Sequence, residues 1–216
     1  MSTLLRSPKE RGSWYWDLDE FDAPGLETAL LLGARMTEVL TRHELLTPIQ
    51  LEYVWNVTGM GTTGITTTLD LAKTSLGDQN LPERVRGSRP SSHPSAHISF
   101  VEVLGTGTWI NEGGEARTEY RLVDLSLCTA PTGLSAELSV HHDVWGQYDF
   151  SGRPHPTVRA NNAPRLTAAL NDLSDLLGMP PEPGEPTYFG AATVDGLAEP
   201  DADENGLGPD VTNWFH

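Results

Sequence analysis

The chain is expected to fold as α+β, with an antiparallel sheet of about five or six strands packed against two main helices. Two segments near the ends of the chain carry apolar residues at helical spacing, and the segments between them alternate with period two. Gly59 to Gly64, Asn111-Glu-Gly-Gly114 and Pro131-Thr-Gly133 separate alternating segments with the residues that hairpin turns favour. No regular alternation of strand and helix is present, so a parallel sheet is not expected.

The first helix is placed at Pro24 to His43. Leu26, Leu30, Gly33, Thr37 and Leu40 form one stripe, Asp22 precedes the start as a capping residue, and Pro48 follows the end. Gly33 lies on the apolar stripe and is read as a close approach to a sheet. Next come Leu51 to Val57 and Ile65 to Leu71, two period-two runs joined by Gly59-Met-Gly-Thr-Thr-Gly64, which read as a hairpin. That glycine pattern imitates a dinucleotide-binding turn, but a β-branched strand follows it instead of a helix. Gly77 to Ser95 carries Pro82, Pro90 and Pro94 and is expected to be a long loop. Ile98 to Leu104, Thr118 to Thr129 and Leu134 to His142 then form a meander, with Glu137 and Asp124 on a solvated sheet face. The second helix covers 161 to 178. Leu166, Leu170, Leu173 and Leu177 make its stripe, Asn161 or Asn162 caps it, and Gly178 with Pro180 ends it.

Residues 1–178 are therefore read as one domain and 179–216 as an acidic, partly irregular C-terminal extension. Of 216 residues, 14 are Lys or Arg and 30 are Asp or Glu, giving a net charge of −16. Eight acids and no Lys or Arg fall after Leu177, so half of the net charge lies in that extension. Such a balance opposes direct nucleic-acid binding, which needs clustered cations, and opposes docking on anionic lipid. No apolar stretch reaches the length of a membrane span and no signal-peptide pattern opens the chain, so the expected location is cytoplasmic. The single cysteine, Cys128, is read as a buried strand residue.

No catalytic residue, metal or cofactor is assigned. Asp201-Ala-Asp203-Glu-Asn-Gly206 copies half of a calcium loop but has Thr212 where a bidentate Glu is needed. An alternative reading, a small-molecule enzyme with or without a metal, would use His97, His141 and Asp143. A second alternative is an acidic DNA mimic. The leading expectation rests on aromatics interleaved with acids, a pattern suited to anchoring a basic protein partner. The residues assigned to that role are Trp14, Trp16, Asp17, Asp19 and Glu20, then Asp143, Trp145, Tyr148 and Asp149, and in the extension Asp201, Asp203 and Glu204. Tyr15, Phe21, Phe150, Trp214 and Phe215 belong to the same aromatic sets.

Leu134-Ser-Ala-Glu-Leu-Ser-Val140, Asp143-Val-Trp145, Tyr148-Asp-Phe-Ser-Gly152 and Asn162-Ala-Pro-Arg-Leu166 give residues 98 to 178 a resemblance to small acidic immunity-type proteins of bacterial polymorphic toxin systems. What the resemblance implies is a protein that binds and neutralises a cognate toxin domain, of nuclease or deaminase type, without chemistry of its own. It transfers no site residues.

Overall fold

In the computed structural model, which describes residues 4–20, 22–72, 74–131 and 133–215, the chain is α+β. Its elements in order are β1 (Gly12–Asp17), α1 (Leu26–Arg42), β2 (Thr47–Val57), β3 (Gly61–Asp70), α2 (Leu81–Gly87), β4 (His97–Ile110), β5 (Ala116–Tyr120), β6 (Val123–Cys128), β7 (Ser135–Val140), α3 (Pro156–Leu177), β8 (Glu182–Pro183), β9 (Ala192–Thr193) and β10 (Gly196–Leu197). The main sheet has eight strands, not five or six. Its order is β3-β2-β4-β6-β7-β1-β8, with β5 pairing the far half of β4, and every pairing is antiparallel.

Two of the additional strands come from the ends of the chain. Trp14 and Trp16 alternate with Ser13, Tyr15 and Asp17, and this short period-two run inserts as β1 between β7 and β8. The expected strand over Thr118 to Thr129 is two strands. Arg121 turns the backbone at φ 57 between them, so β5 and β6 follow one another along the same side of β4.

One row of residues crosses the sheet from Tyr53 through Val101, Leu127 and Ala136 to Trp16, each directly opposite the next. All five are buried. This face is covered by α1 and α3, which also pack on each other. Gly33 is the point of closest approach, since a Cβ there would overlap Cδ1 of Leu127. The stripe of α3 is buried as the leucine spacing requires, and Gly178 takes the left-handed conformation (φ 72) that closes a helix C-terminus. The helix starts five residues earlier than expected, so Asn162 is inside it instead of capping it. The Gly77 to Ser95 loop contains α2, because Pro82 sits in a first helical turn, where its missing N–H has no cost.

Residues 179–215 are irregular but tied to the body. β8 extends the sheet, Trp14 Nε1 donates to the Thr193 carbonyl at 2.7 Å, and Val211 N–H donates to the Phe150 carbonyl at 2.9 Å. Phe150, Phe189 and Phe215 meet edge to face, with ring centres 5.4 to 5.7 Å apart, and Tyr188 stacks on Trp214 at 4.2 Å. No helix among the described residues is long and apolar enough to cross a membrane.

Candidate functional site

The aromatic anchors expected at the surface are in the core. Trp14 and Trp16 occupy helix-facing positions of β1, and Trp145 lies in a 3-10 turn (Asp143–Trp145) packed on α3; all three are fully buried. Asp143, in the same turn, is 4% exposed. These four side chains offer nothing to a partner, because period two and the turn direct them inward. Phe21 lies outside the described residues.

The remaining assigned residues do not form one surface. Asp17, Asp19 and Glu20 are exposed at the C-terminal end of β1, where Asp19 Oδ1 accepts the Leu134 N–H at 2.6 Å. Tyr148 and Asp149 are half-buried beyond the opposite end of that strand, roughly 20 Å away at the rise of a strand. Asp149 Oδ1 accepts the N–H groups of Ser151 and Arg153, both at 2.9 Å. Asp201, Asp203 and Glu204 are exposed on a third segment, and the Asp203 carboxylate folds onto its own loop, accepting N–H groups of Asn205 and Leu207 at 2.8 Å. Those bonds hold it below the usual aspartate range.

Behind Tyr148 and Asp149 sits the guanidinium of Arg11, 6% exposed, donating to the carbonyls of Asp143 (3.0 Å) and Tyr148 (3.1 Å) and lying 5.1 Å from the centre of the Phe150 ring. Burial lowers its pKa to about 10, opposed by the charges of Asp143 and Asp149, so it stays protonated at neutral pH. A cavity of about 250 Å³ between this arginine and the tail is lined by Phe150, Tyr188, Phe189 and Pro200. The arginine ties the start of the chain to the 143–148 turn, and the aromatic tail closes over it.

His97, His141 and Asp143 do not assemble. His97 opens β4 at the Cys128 end of β6, whereas His141 follows β7 at the Val123 end, on the order of 20 Å away. Among the described residues no three His, Cys, Asp or Glu side chains converge as metal ligands. His141 instead approaches Asp124, its Nε2 3.6 Å from Oδ2. Asp124 is gripped by Arg121 through two bonds of 2.9 Å and by Arg6 at 2.6 Å. Burial pushes this carboxyl up, but the two arginines outweigh it and leave it below the ordinary value.

The face of the sheet turned away from α1 and α3 has a different character. A second row, one residue along from the buried one, runs Thr68, Glu52, Glu102, Ser126, Glu137, Tyr15, Glu182 across seven strands, each directly opposite the next. None of these side chains is buried. Phe100 (56% exposed) and Val54 (38%) flank the row, and Asp17 lies on the same face two residues from Tyr15. Glu102 is half-buried with Arg121 3.6 Å away; burial raises its carboxyl, and the neighbouring Asp124 and Glu52 push it further. Glu52, Glu137 and Glu182 meet no cation among the described residues within salt-bridge distance. Like charges directly opposite on paired strands are destabilising, and Glu52 faces Glu102 in that way.

No family model, curated protein or solved structure matches the chain. The geometry is therefore the main guide to function. Sequence reading missed this row because its four glutamates come from four separate strands and are joined only by strand register. The one available signal was the alternation that put Glu52, Glu102 and Glu137 at polar positions of their runs.

Proposed function

We propose that this protein is a non-enzymatic binding protein whose uncovered sheet face receives a basic protein partner. The observation that carries the reading is the row of four glutamates, three of them with no cation among the described residues within salt-bridge distance, spread across six strands beside exposed Phe100, Val54 and Tyr15. Carboxylates held next to one another cost stability in the free protein, and a partner that brings cations offsets that cost on binding. Exposed apolar side chains within an acidic rim supply area that loses water at the contact. With the net charge of −16, encounter with a basic partner is steered and salt-sensitive.

The most specific form of this reading is an immunity protein that neutralises a toxin domain acting on nucleic acid. Such a domain carries the clustered cations needed to hold phosphate, and those same cations fit this face. The resemblance of residues 98 to 178 supports that form independently of the charge argument. The test is a binding titration of the purified protein against a basic toxin domain encoded beside it, at low and high salt. Binding that weakens with salt and weakens at least about tenfold when Glu52, Glu137 and Glu182 are all replaced by Gln is the expected result. Binding indifferent to both overturns the assignment.

A further inference from the structure

β3 is the last strand of the sheet, with β2 on one side and no strand on the other among the described residues. Its hydrogen-bonding phase can be read from one contact. Leu71 N–H donates to the Ile49 carbonyl at 2.8 Å, and Gln50 stands opposite Asp70, so Leu71 and Ile49 form a hydrogen-bonded pair. Bonded and non-bonded pairs alternate along an antiparallel ladder, so Leu69 and Thr67 also bond inward to β2. The backbone N–H and C=O groups of Asp70, Thr68 and Thr66 therefore point away from the sheet, and all three residues are exposed.

Natural edge strands are commonly blunted by Lys, Pro, a short length or a bulge. β3 is ten residues long and has no Lys, Arg or Pro. Its one irregularity is at the Gly61 end, opposite Val54 to Asn56, and the register from Thr66 to Asp70 is unbroken. The opposite edge is closed by contrast, since β8 has two residues, one of them Pro183.

We propose that β3 accepts a strand of the basic partner, which extends the sheet by antiparallel or parallel addition at Thr66, Thr68 and Asp70. This rests on the reading of the glutamate face and names how the partner engages it. Side chains of the added strand opposite Thr66, Thr68 and Asp70 fall on the same face as Glu52, so cations there meet Asp70 directly and reach Glu52 across one strand. Its intervening side chains fall on the helix side, beside Ile65 and Leu69, which pack partly buried against the core. The occupant is thus a strand alternating basic with apolar residues. A second copy of this chain is a poor occupant, because two bodies of charge −16 repel and β3 carries no cation to compensate.

The test uses a labelled ten-residue peptide alternating Lys with Val, and the same peptide with Glu in place of Lys as control. Fluorescence anisotropy measures affinity, and amide hydrogen exchange by NMR measures protection in the unmodified protein. The lysine peptide is expected to bind, the glutamate peptide not, and the Thr66, Thr68 and Asp70 amides to become protected. Thr68→Pro removes an outward N–H while leaving the ladder to β2 intact, and should weaken binding at least about tenfold with Tm unchanged. Peptide binding without protection of those amides, or with full affinity in Thr68→Pro, overturns the edge assignment. If that binding is still lost on Glu52→Gln with Glu137→Gln, the acidic-face reading survives the failure. Binding lost in Thr68→Pro but indifferent to the glutamates and to salt supports strand addition and overturns the acidic-face reading instead. A dimer of the unmodified protein with these amides already protected also overturns the proposal.

Discussion

The side chain of Asn162, in the middle of α3, pairs with both backbone groups of Ile110 at the end of β4: its Oδ1 accepts the Ile110 N–H at 2.8 Å and its Nδ2 donates to the Ile110 carbonyl at 2.7 Å. Nδ2 donates also to the Val158 carbonyl at 2.8 Å. The amide completes the ladder for a strand end beyond reach of β2 and β6. Asn162→Leu leaves two partly buried backbone groups without their partner, and is expected to cost about 1 to 3 kcal/mol. Asn162→Asp keeps one acceptor, loses both donor bonds and buries a charge. Urea unfolding of the two variants checks this, with a destabilisation below ~1 kcal/mol in both contradicting the role given to the amide.

Gly33 and Leu127 make a comparable contact by shape alone. Ala in place of Gly gains about 1 kcal/mol of helix propensity, but its Cβ overlaps a leucine that is fully buried, and overpacking costs about 1 to 3 kcal/mol. Gly33→Ala is therefore expected to be neutral to destabilising by about 2 kcal/mol. In a Leu127→Ala background the same change should become stabilising, because the overlap is gone. A double-mutant cycle by chemical denaturation measures the sign reversal.

Gly33, the leucine stripe of α3 and the β2–β3 hairpin were legible in the sequence because each depends on local periodicity. β1 was not recognised, although Trp14 and Trp16 alternate with Ser13, Tyr15 and Asp17, because Tyr15 and the following acids obscure a run of six residues. By composition that run reads as a surface anchor, whereas strand alternation turns its two tryptophans into the core. Pro82 suits either a loop or a first helical turn, and the structure places it in the latter. The glutamate row is a property of register between strands far apart in sequence, which pattern within any one strand cannot express.

The row itself predicts a trade between stability and binding. Glu52 loses no ion pair among the described residues when neutralised, and it stands opposite Glu102. Glu52→Gln is expected to stabilise the free protein by about 0.2 to 1 kcal/mol at low salt, with the gain shrinking as salt rises. It should also move the Glu102 carboxyl downward, since Glu52 is one of the groups that raise it. NMR titration of Glu102 with and without the substitution tests this, and an unmoved titration would contradict the coupling.

Acid should weaken the fold through its buried histidines. His142 is 2% exposed, and burial followed by the charge of Arg6 lowers its pKa from 6.5 to about 4. Its neutral form contributes fully above pH 6.5, and the contribution is lost as pH falls toward 4, since in that window the unfolded chain takes up a proton that the folded protein does not. Burial also lowers His141 and His155, which act in the same direction. Asp143 opposes them: burial raises it from 3.8 to about 6, so the folded protein takes up that proton first and gains stability as pH falls through this interval. The expected result is a net fall in urea midpoint from pH 7 to pH 5. His142→Gln should flatten it by up to about 1.4 kcal/mol per pH unit, and Asp143→Asn should steepen it. Equal slopes in all three proteins would contradict the assignment.

The aromatic tail predicts resistance where the charge of the segment alone suggests an open target. Glu182 opens β8 and Glu185 follows it, Gly184 N–H donates to the Ser13 carbonyl at 2.9 Å, and Thr187 Oγ1 donates to the Glu10 carbonyl at 2.7 Å. Cleavage needs an extended, accessible backbone, and these bonds must open first. A protease of broad specificity is therefore expected to cut within the exposed 201–206 loop well before it cuts within 184–190. Removing residues 179–216 should uncover Trp14 and Phe150 and give a protein that unfolds at lower urea and binds hydrophobic dye. Mass spectrometry of the timed digest, with urea unfolding and dye fluorescence of the truncated chain, decides the matter: rapid cleavage within 184–190 together with an unchanged midpoint would show that the tail adds charge and nothing to the core.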